Sequence, residues 1–365
     1  MAHKPSFMPR LEPRGHASPA MVYVTPLLAL AVTLLAGGLL FQVLGFNAPE
    51  ALYTFFVSPL TTAYGLGELV VKATPLALCA IGLALGFRGN VWNIGAEGQL
   101  TFGAIFGGGV ALACYDMEGW WILPLMVVAG MVGGMLWGAI PALLKTRFHA
   151  SEILVSLMLT YVATLILSLL VHGPWRDPEG FNFPESRMFS DSALLPVLLA
   201  ETRLHFGALF ALAAVVGGWF IIARTFVGFQ IKVMGLTPAA GGYAGFSQRK
   251  VVWLSFLVSG ALAGLAGVSE VAGPIGQLQP TVSPGYGFTA IIVAFLGRLH
   301  PVGILLASLL MALSYLGGEA VQIGMGLPLA VTGVFQGMLL FFLLASDVLI
   351  RYRVRFGRPQ QEAKA

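Results

Sequence analysis

Long apolar runs alternate with short polar ones along this chain, and the runs are apolar on every side, unlike the striped helices of a soluble core. Windows of about 20 apolar residues, the length that crosses a bilayer as a helix, fall at 22–45, 64–86, 91–114, 120–143, 152–172, 204–223, 251–272, 286–297, 302–320 and 327–347. The pattern predicts an all-α fold, a polytopic membrane helix bundle of about ten transmembrane helices with the eighth unusually short. It divides the chain into a polar N-terminal tail over 1–21, a transmembrane domain over 22–350 and a basic C-terminal tail over 351–365. Within the domain, 173–203 reads as an external loop and 224–250 as a cytoplasmic one. The first run, Val22 to Gly45, is longer than a signal-peptide core and lacks a small-residue cleavage site, which predicts a retained first span.

Charge fixes the sidedness. An even number of spans places both termini on one side, and sixteen lysines and arginines fall there against three, Arg176, Arg187 and Arg203, on the other. Basic residues near span ends resist translocation, so both termini are expected in the cytoplasm. The external loop carries five acids with Pro174, Pro178 and Pro184, while Trp120, Trp121 and Trp175 stand at outer boundaries, where indole rings favour the headgroup layer.

Composition removes other classes. With 57% hydrophobic and 10% charged residues the chain is not a soluble domain, and its net charge of +4 is scattered over span ends, so no nucleic-acid partner is expected. Cys79 and Cys114 lie inside apolar runs, which leaves neither a disulfide framework nor a zinc site. No lysine follows a glycine, so there is no phosphate loop, and none of the six histidines forms a metalloprotease motif. No metal or cofactor is expected, and no enzymatic motif is found.

Polar residues inside the spans carry the remaining information, because each is costly in lipid. Glu68 and Lys72 stand four apart, acid first, as an expected intrahelical pair. Asn90, Asn93 and Glu97 stand at i, i+3 and i+7, which predicts one polar helical face beside Gly89, Gly95 and Gly98, glycines that weaken a helix. A second interruption, Gly273 to Gly285, contains Pro274, Pro280 and Pro284 with Gln277, Gln279, Thr281 and Ser283. Paired interruptions in two halves of a chain point to a transport site between repeats, here a faint internal repeat. Gly103 with Gly107, Gly130 with Gly134 and Gly138, and Gly260 with Gly264 predict close helix packing within the chain. The segment 224–250 holds four basic residues and no acid, and Thr237 followed by Pro238 predicts a short capped helix fit to dock on a partner.

Four segments in order resemble a known family: Asn90-Val91-Trp92-Asn93-Ile94-Gly95-Ala96-Glu97-Gly98-Gln99; Val233-Met234-Gly235-Leu236-Thr237-Pro238-Ala239-Ala240 with Ala244-Gly245; Ser259-Gly260 through Gly264 to Gly267; and Gly287-Phe288-Thr289-Ala290 through Gly297-Arg298 to Pro301. Together they are similar to the inner-membrane permeases of ATP-binding-cassette importers, in the branch for nucleosides and simple sugars, with branched-chain amino acid permeases more distant. The resemblance spans roughly 64–347. It implies a second homologous permease, a cytoplasmic ABC ATPase that uses the ATP, and an external substrate-binding lipoprotein or periplasmic protein. It assigns Gly235, Thr237, Pro238, Ala239, Ala240, Tyr243 and Gly245 to ATPase coupling. Gly235-Leu236-Thr237-Pro238 departs from the Gly-Glu-Asn-Pro common in relatives and makes the loop more basic. On this reading Asn90, Asn93, Glu97, Gln99 and Gln277 are candidate polar lining of a nucleoside passage, and Trp92 and Phe288 are surfaces on which a base could stack. Simple sugars are the alternative cargo. An ion-driven secondary transporter is the rival mechanism, and it would need more unpaired mid-membrane acids than Glu97.

Overall fold

The computed structural model describes residues 9–13, 19–328 and 330–356. Lys4, Arg14, Arg358 and Lys364, counted above with the tails, lie outside the described residues. The chain forms two units, residues 1–55 with 318–365, and residues 56–317.

In the first unit, β1 (Pro9–Pro13) precedes α1 (Pro19–Val43) and α2 (Ala48–Phe56), and α13 (Ala330–Arg351) runs directly into β2 (Tyr352–Phe356). The two strands pair antiparallel, Leu11 opposite Val354. The sequence reading left both stretches in polar tails, because five-residue strands within charged segments carry too few apolar positions to announce themselves. The α1–α13 contact is built on Phe335, whose ring centroid lies 5.4 Å from that of Phe41 and 4.7 Å from that of Phe55. A side chain at Gly37 would overlap the Phe335 ring, so the glycine makes the seat for it.

The second unit contains α3 (Ala63–Arg88), α4 (Ala96–Ala113), α5 (Ile122–Phe148), α6 (Glu152–His172), α7 (Gly207–Arg224), α8 (Phe226–Leu236), α9 (Pro238–Tyr243), α10 (Gln248–Glu270) and α11 (Tyr286–Leu296), with α12 (Pro301–Met325) crossing the boundary between units. Each of the ten expected spans has its helix: α1, α3 to α7 and α10 to α13. Among the described residues, seven helices are long and apolar enough to cross a membrane. Glycines, Glu97 and Gln99 dilute α4, and α11 is the short eighth span at 11 residues. Burial sorts the helices into inner and outer. In its apolar window α3 is 83% buried, against 22% for α6 and α7, whose exposed leucines suit lipid.

The glycine spacings act as expected, at a seam where α4, α5 and α10 meet. A Cβ on Gly134 would stand 2.0 Å from the Gly260 carbonyl oxygen, and one on Gly103 would stand 2.2 Å from Gly264 Cα. Without a hydrophobic effect between helices in lipid, this close backbone approach supplies the packing. Gly134→Val is therefore expected to cost about 3 kcal/mol or more, the upper range for overpacking, since the obstacle is backbone. Size-exclusion of the detergent-extracted variant should show little monodisperse protein; a wild-type peak would refute the seam.

Between α7 and α10 the structure adds an element. The sequence predicts one short helix at Pro238, and α9 is that helix, with Pro238 in its first turn, but Thr237 makes no side-chain cap. A second helix, α8, precedes it, capped by Thr225, whose Oγ1 accepts the Gly228 N–H at 3.1 Å.

Candidate functional site

Two helix breaks build the site. At the first, α3 ends on Gly89, and Asn90 takes a left-handed conformation (φ 55°) that lets the Val91 N–H close back on the Gly86 carbonyl at 2.9 Å. Asparagine tolerates that region better than most residues. The chain then runs without helix from Val91 to Gly95 before α4 starts. Asn90, Asn93 and Glu97 consequently do not share a helical face, because the left-handed turn at Asn90 and the glycine at 95 remove the helix that the i, i+3, i+7 spacing assumed. What the spacing does instead is place three polar groups around one turn of chain.

Asn93 is buried and fully engaged. Its Nδ2 donates to Gln99 Oε1 at 3.0 Å and to Ser259 Oγ at 2.9 Å, and its Oδ1 accepts the Gly95 N–H at 2.9 Å. This cluster ties the break to the first turns of α4 and to the middle of α10. Ser156 on α6 adds a further tie, its Oγ accepting the Ile94 N–H at 3.2 Å.

At the second break, α10 passes into a single wide turn at Val271–Ile275 and then into irregular chain to Gly285. Such wide turns inside helices gather at functional positions. The loop over 173–203 pins this chain. Gln277 Nε2 donates to Glu185 Oε2 at 2.7 Å, and main-chain bonds join Phe189 to Gly276 and Ser186 to Leu278. Gln277 thus belongs to the outer loop contact, apart from the Asn93 cluster.

The two breaks meet at Glu97. Its carboxylate, in the first turn of α4, accepts the Gly287 N–H of α11 at 2.6 Å, and the Ser283 hydroxyl and Gly285 N–H also reach it. A Cβ on Gly287 would stand 2.2 Å from the Glu97 nitrogen, so only glycine lets the two helix starts come this close. Helix N-termini carry partial positive charge, and Glu97 neutralises two of them at once. Gln99, on the next turn, is buried with Asn93.

Aromatic rings stand beside this clasp. Trp92 and Phe288 are each 37% exposed. Trp92 stacks on Phe295 with centroids 5.9 Å apart, and Phe295 is seven residues after Phe288, on the same face of α11. The Trp92 indole N–H donates to Asn90 Oδ1 at 3.1 Å, and Phe87 packs against both Trp92 and Phe295, so Asn90, Trp92, Phe295 and Phe87 form one cluster of mixed aromatic and amide character, with Phe288 two turns earlier on α11. Phe295 was not foreseen, since a phenylalanine in an apolar run looks like any other. Nor was Ser259, whose role appears only when α10 packs on α4.

Glu68 takes a partner remote in sequence. Arg203 of the 173–203 loop donates Nε–H to Glu68 Oε1 at 2.8 Å and binds the second oxygen through Nη2, the bidentate fork that suits a carboxylate.

The 224–250 segment also reaches the first break. Gly235, at the end of α8, packs so tightly on the end of α3 that a Cβ would stand 1.9 Å from the Arg88 carbonyl oxygen and 3.2 Å from Gly89 Cα. Beyond it α9 projects outward: Thr237, Pro238, Ala239 and Ala240 are exposed, Tyr243 is 95% exposed and Leu236 73%, while Gly245 turns the chain with φ 80°.

Comparison with known proteins agrees with this architecture. The family model described as "Branched-chain amino acid transport system / permease component" matches residues 65–344. A glucose ABC transporter permease protein of Haloferax volcanii is 37% identical over 98% of this chain and 96% of its own. A guanosine ABC transporter permease protein of Bacillus subtilis is 32% identical over 91% and 94%. A nucleoside ABC transporter permease protein of Lactococcus lactis is 31% identical over 89% and 92%. With its interrupted helices and a match over most of its length, the chain belongs to this permease family, as a multi-pass membrane subunit of an ABC transporter rather than an enzyme.

Proposed function

We propose that this subunit forms half of the passage of a nucleoside importer in the plasma membrane, with both termini in the cytoplasm. Its partners are a second homologous permease, a cytoplasmic ABC ATPase and an external substrate-binding protein. The observation that carries the cargo class is the closure of two helix N-termini by Glu97. Interrupted membrane helices commonly aim such ends at an anionic solute; here the protein's own carboxylate occupies them, which leaves amide groups and flat rings for a neutral solute. Trp92, Phe288 and Asn90 then line the passage, a base stacking on the rings. Asn93, Glu97 and Gln99 hold the two breaks together behind that surface, and Gln277 couples them to the external loop.

The mechanism follows from the packing of Gly235 on Arg88 and Gly89. An ATPase bound at Leu236 to Gly245 pushes on the end of α3, and the non-helical 91–95 stretch is the place where that movement is taken up. Guanosine- and nucleoside-transporting relatives support the nucleoside reading; the glucose-transporting relative, more similar in sequence, supports a sugar as the second reading. Uptake of labelled guanosine and labelled glucose by cells carrying all partners tests both. Trp92→Ala and Phe288→Ala are expected to raise KM for guanosine about tenfold, the loss of roughly 1.4 kcal/mol of stacking. Glucose uptake without guanosine uptake overturns the nucleoside assignment, and an unchanged KM removes the rings from the passage.

A further inference from the structure

The start of α10 carries positive charge that its own fold does not neutralise. Ser247 caps the helix, and the next residues, Gln248, Arg249 and Lys250, place two cations in the first turn with no acid among them. Helix N-termini disfavour cations there. Among the described residues, neither side chain is paired with a carboxylate; nearby Glu152 is taken by Lys145.

The two side chains line separate cavities on either side of α10. Arg249 lines one of about 560 Å³ against the α5–α6 turn, with Lys145, His149 and Ser151. Lys250 lines one of about 280 Å³ between α8 and α10, where Gln230 and Ser247 give way to Ile231 and Leu254. The second mixes one cation with polar and apolar side chains, as a lipid headgroup joined to an acyl chain requires. Depth agrees. Arg249 and Lys250 directly precede the apolar run 251–272, at a span end, where basic side chains stand at the level of the headgroups. Basic pockets between helices on the cytoplasmic side suit anionic headgroups.

We propose that the start of α10 binds anionic phospholipid of the cytoplasmic leaflet, its phosphate held by Lys250 at the α8–α10 cavity, with an acyl chain along Leu254. The inference rests on the cytoplasmic placement of this face but not on the cargo. A lipid seated there would brace α8, which bears on α3, and so make coupling sensitive to leaflet composition.

The test uses the full-length chain in detergent, with thermal unfolding and native mass spectrometry after addition of phosphatidylglycerol or chain-matched phosphatidylcholine. Phosphatidylglycerol is expected to raise the unfolding midpoint by a few degrees and to remain bound, with phosphatidylcholine doing neither. Arg249→Gln with Lys250→Gln should abolish both effects, and the charge-conserving pair Arg249→Lys with Lys250→Arg should retain them. Equal effects of the two lipids, or a phosphatidylglycerol preference surviving in the glutamine variant, would overturn the proposal. So would an equal shift from millimolar inorganic phosphate, which would mark a soluble-anion site. A glutamine variant that keeps the lipid but no longer copurifies with the ATPase would assign the charge to an acidic ATPase surface instead.

Discussion

Glu97→Ala is expected to abolish most transport. The substitution strips the Gly287 N–H, which reaches the carboxylate at 2.6 Å, of a charged acceptor in a buried place. Hydrogen bonds to charged groups contribute about 1.5–3 kcal/mol each, and buried donors left unpaired cost a similar amount. Even about 2 kcal/mol shifts the closed arrangement of the breaks by more than tenfold. Uptake normalised to expression should fall at least tenfold, while hydrogen exchange at 285–289 speeds up as the start of α11 loosens.

Glu97→Gln separates charge from shape. It keeps one acceptor oxygen but turns an amide donor toward other N–H groups, so an intermediate loss is expected. A clasp and a passage-lining group also differ kinetically. Loosening the clasp lowers maximal uptake of every cargo alike, whereas removing a lining group changes KM and does so differently for each. Unaltered exchange at 285–289 together with full uptake in Glu97→Ala would show that the carboxylate holds nothing.

The span pattern was legible because a membrane helix must be apolar over its whole length, and ten windows gave ten helices. Glycine spacings announced the α4–α5–α10 seam for a similar reason, since only small residues permit backbone contact. Local spacing failed where backbone conformation broke the ruler: i, i+3 and i+7 means one face only if the helix continues, and the left-handed Asn90 ends it. Partners remote in sequence were also out of reach. Glu97 meets Gly287 across 190 residues and Glu68 meets Arg203 across 135; the residue types were visible, and the topology that joins them was not.

Leu236→Asp with Tyr243→Asp is expected to silence transport by a different route, leaving the fold intact. Both side chains are exposed, so their replacement should change stability by less than about 0.5 kcal/mol. Leu236, at the end of α8, and Tyr243, on α9, stay exposed although Gly241 of α9 packs on Met234 of α8. As the centre of an interface they would be desolvated, and two new carboxylates there would each need burial without a partner, costing several kcal/mol. The ATPase should no longer copurify with the variant, and uptake should fall to background, while size-exclusion and thermal unfolding of the permease stay at wild-type values. Gly235→Ala supplies the complement. Its Cβ would collide with the Arg88 carbonyl, so α8 must lift from the end of α3 while the outward face of α9 keeps its residues. That variant should still bind the ATPase yet transport several-fold more slowly per ATP hydrolysed. If the aspartate variant copurifies with the ATPase normally, α9 is not the docking element; if Gly235→Ala transports at the wild-type ratio, the push on Arg88 is not how the movement reaches the breaks.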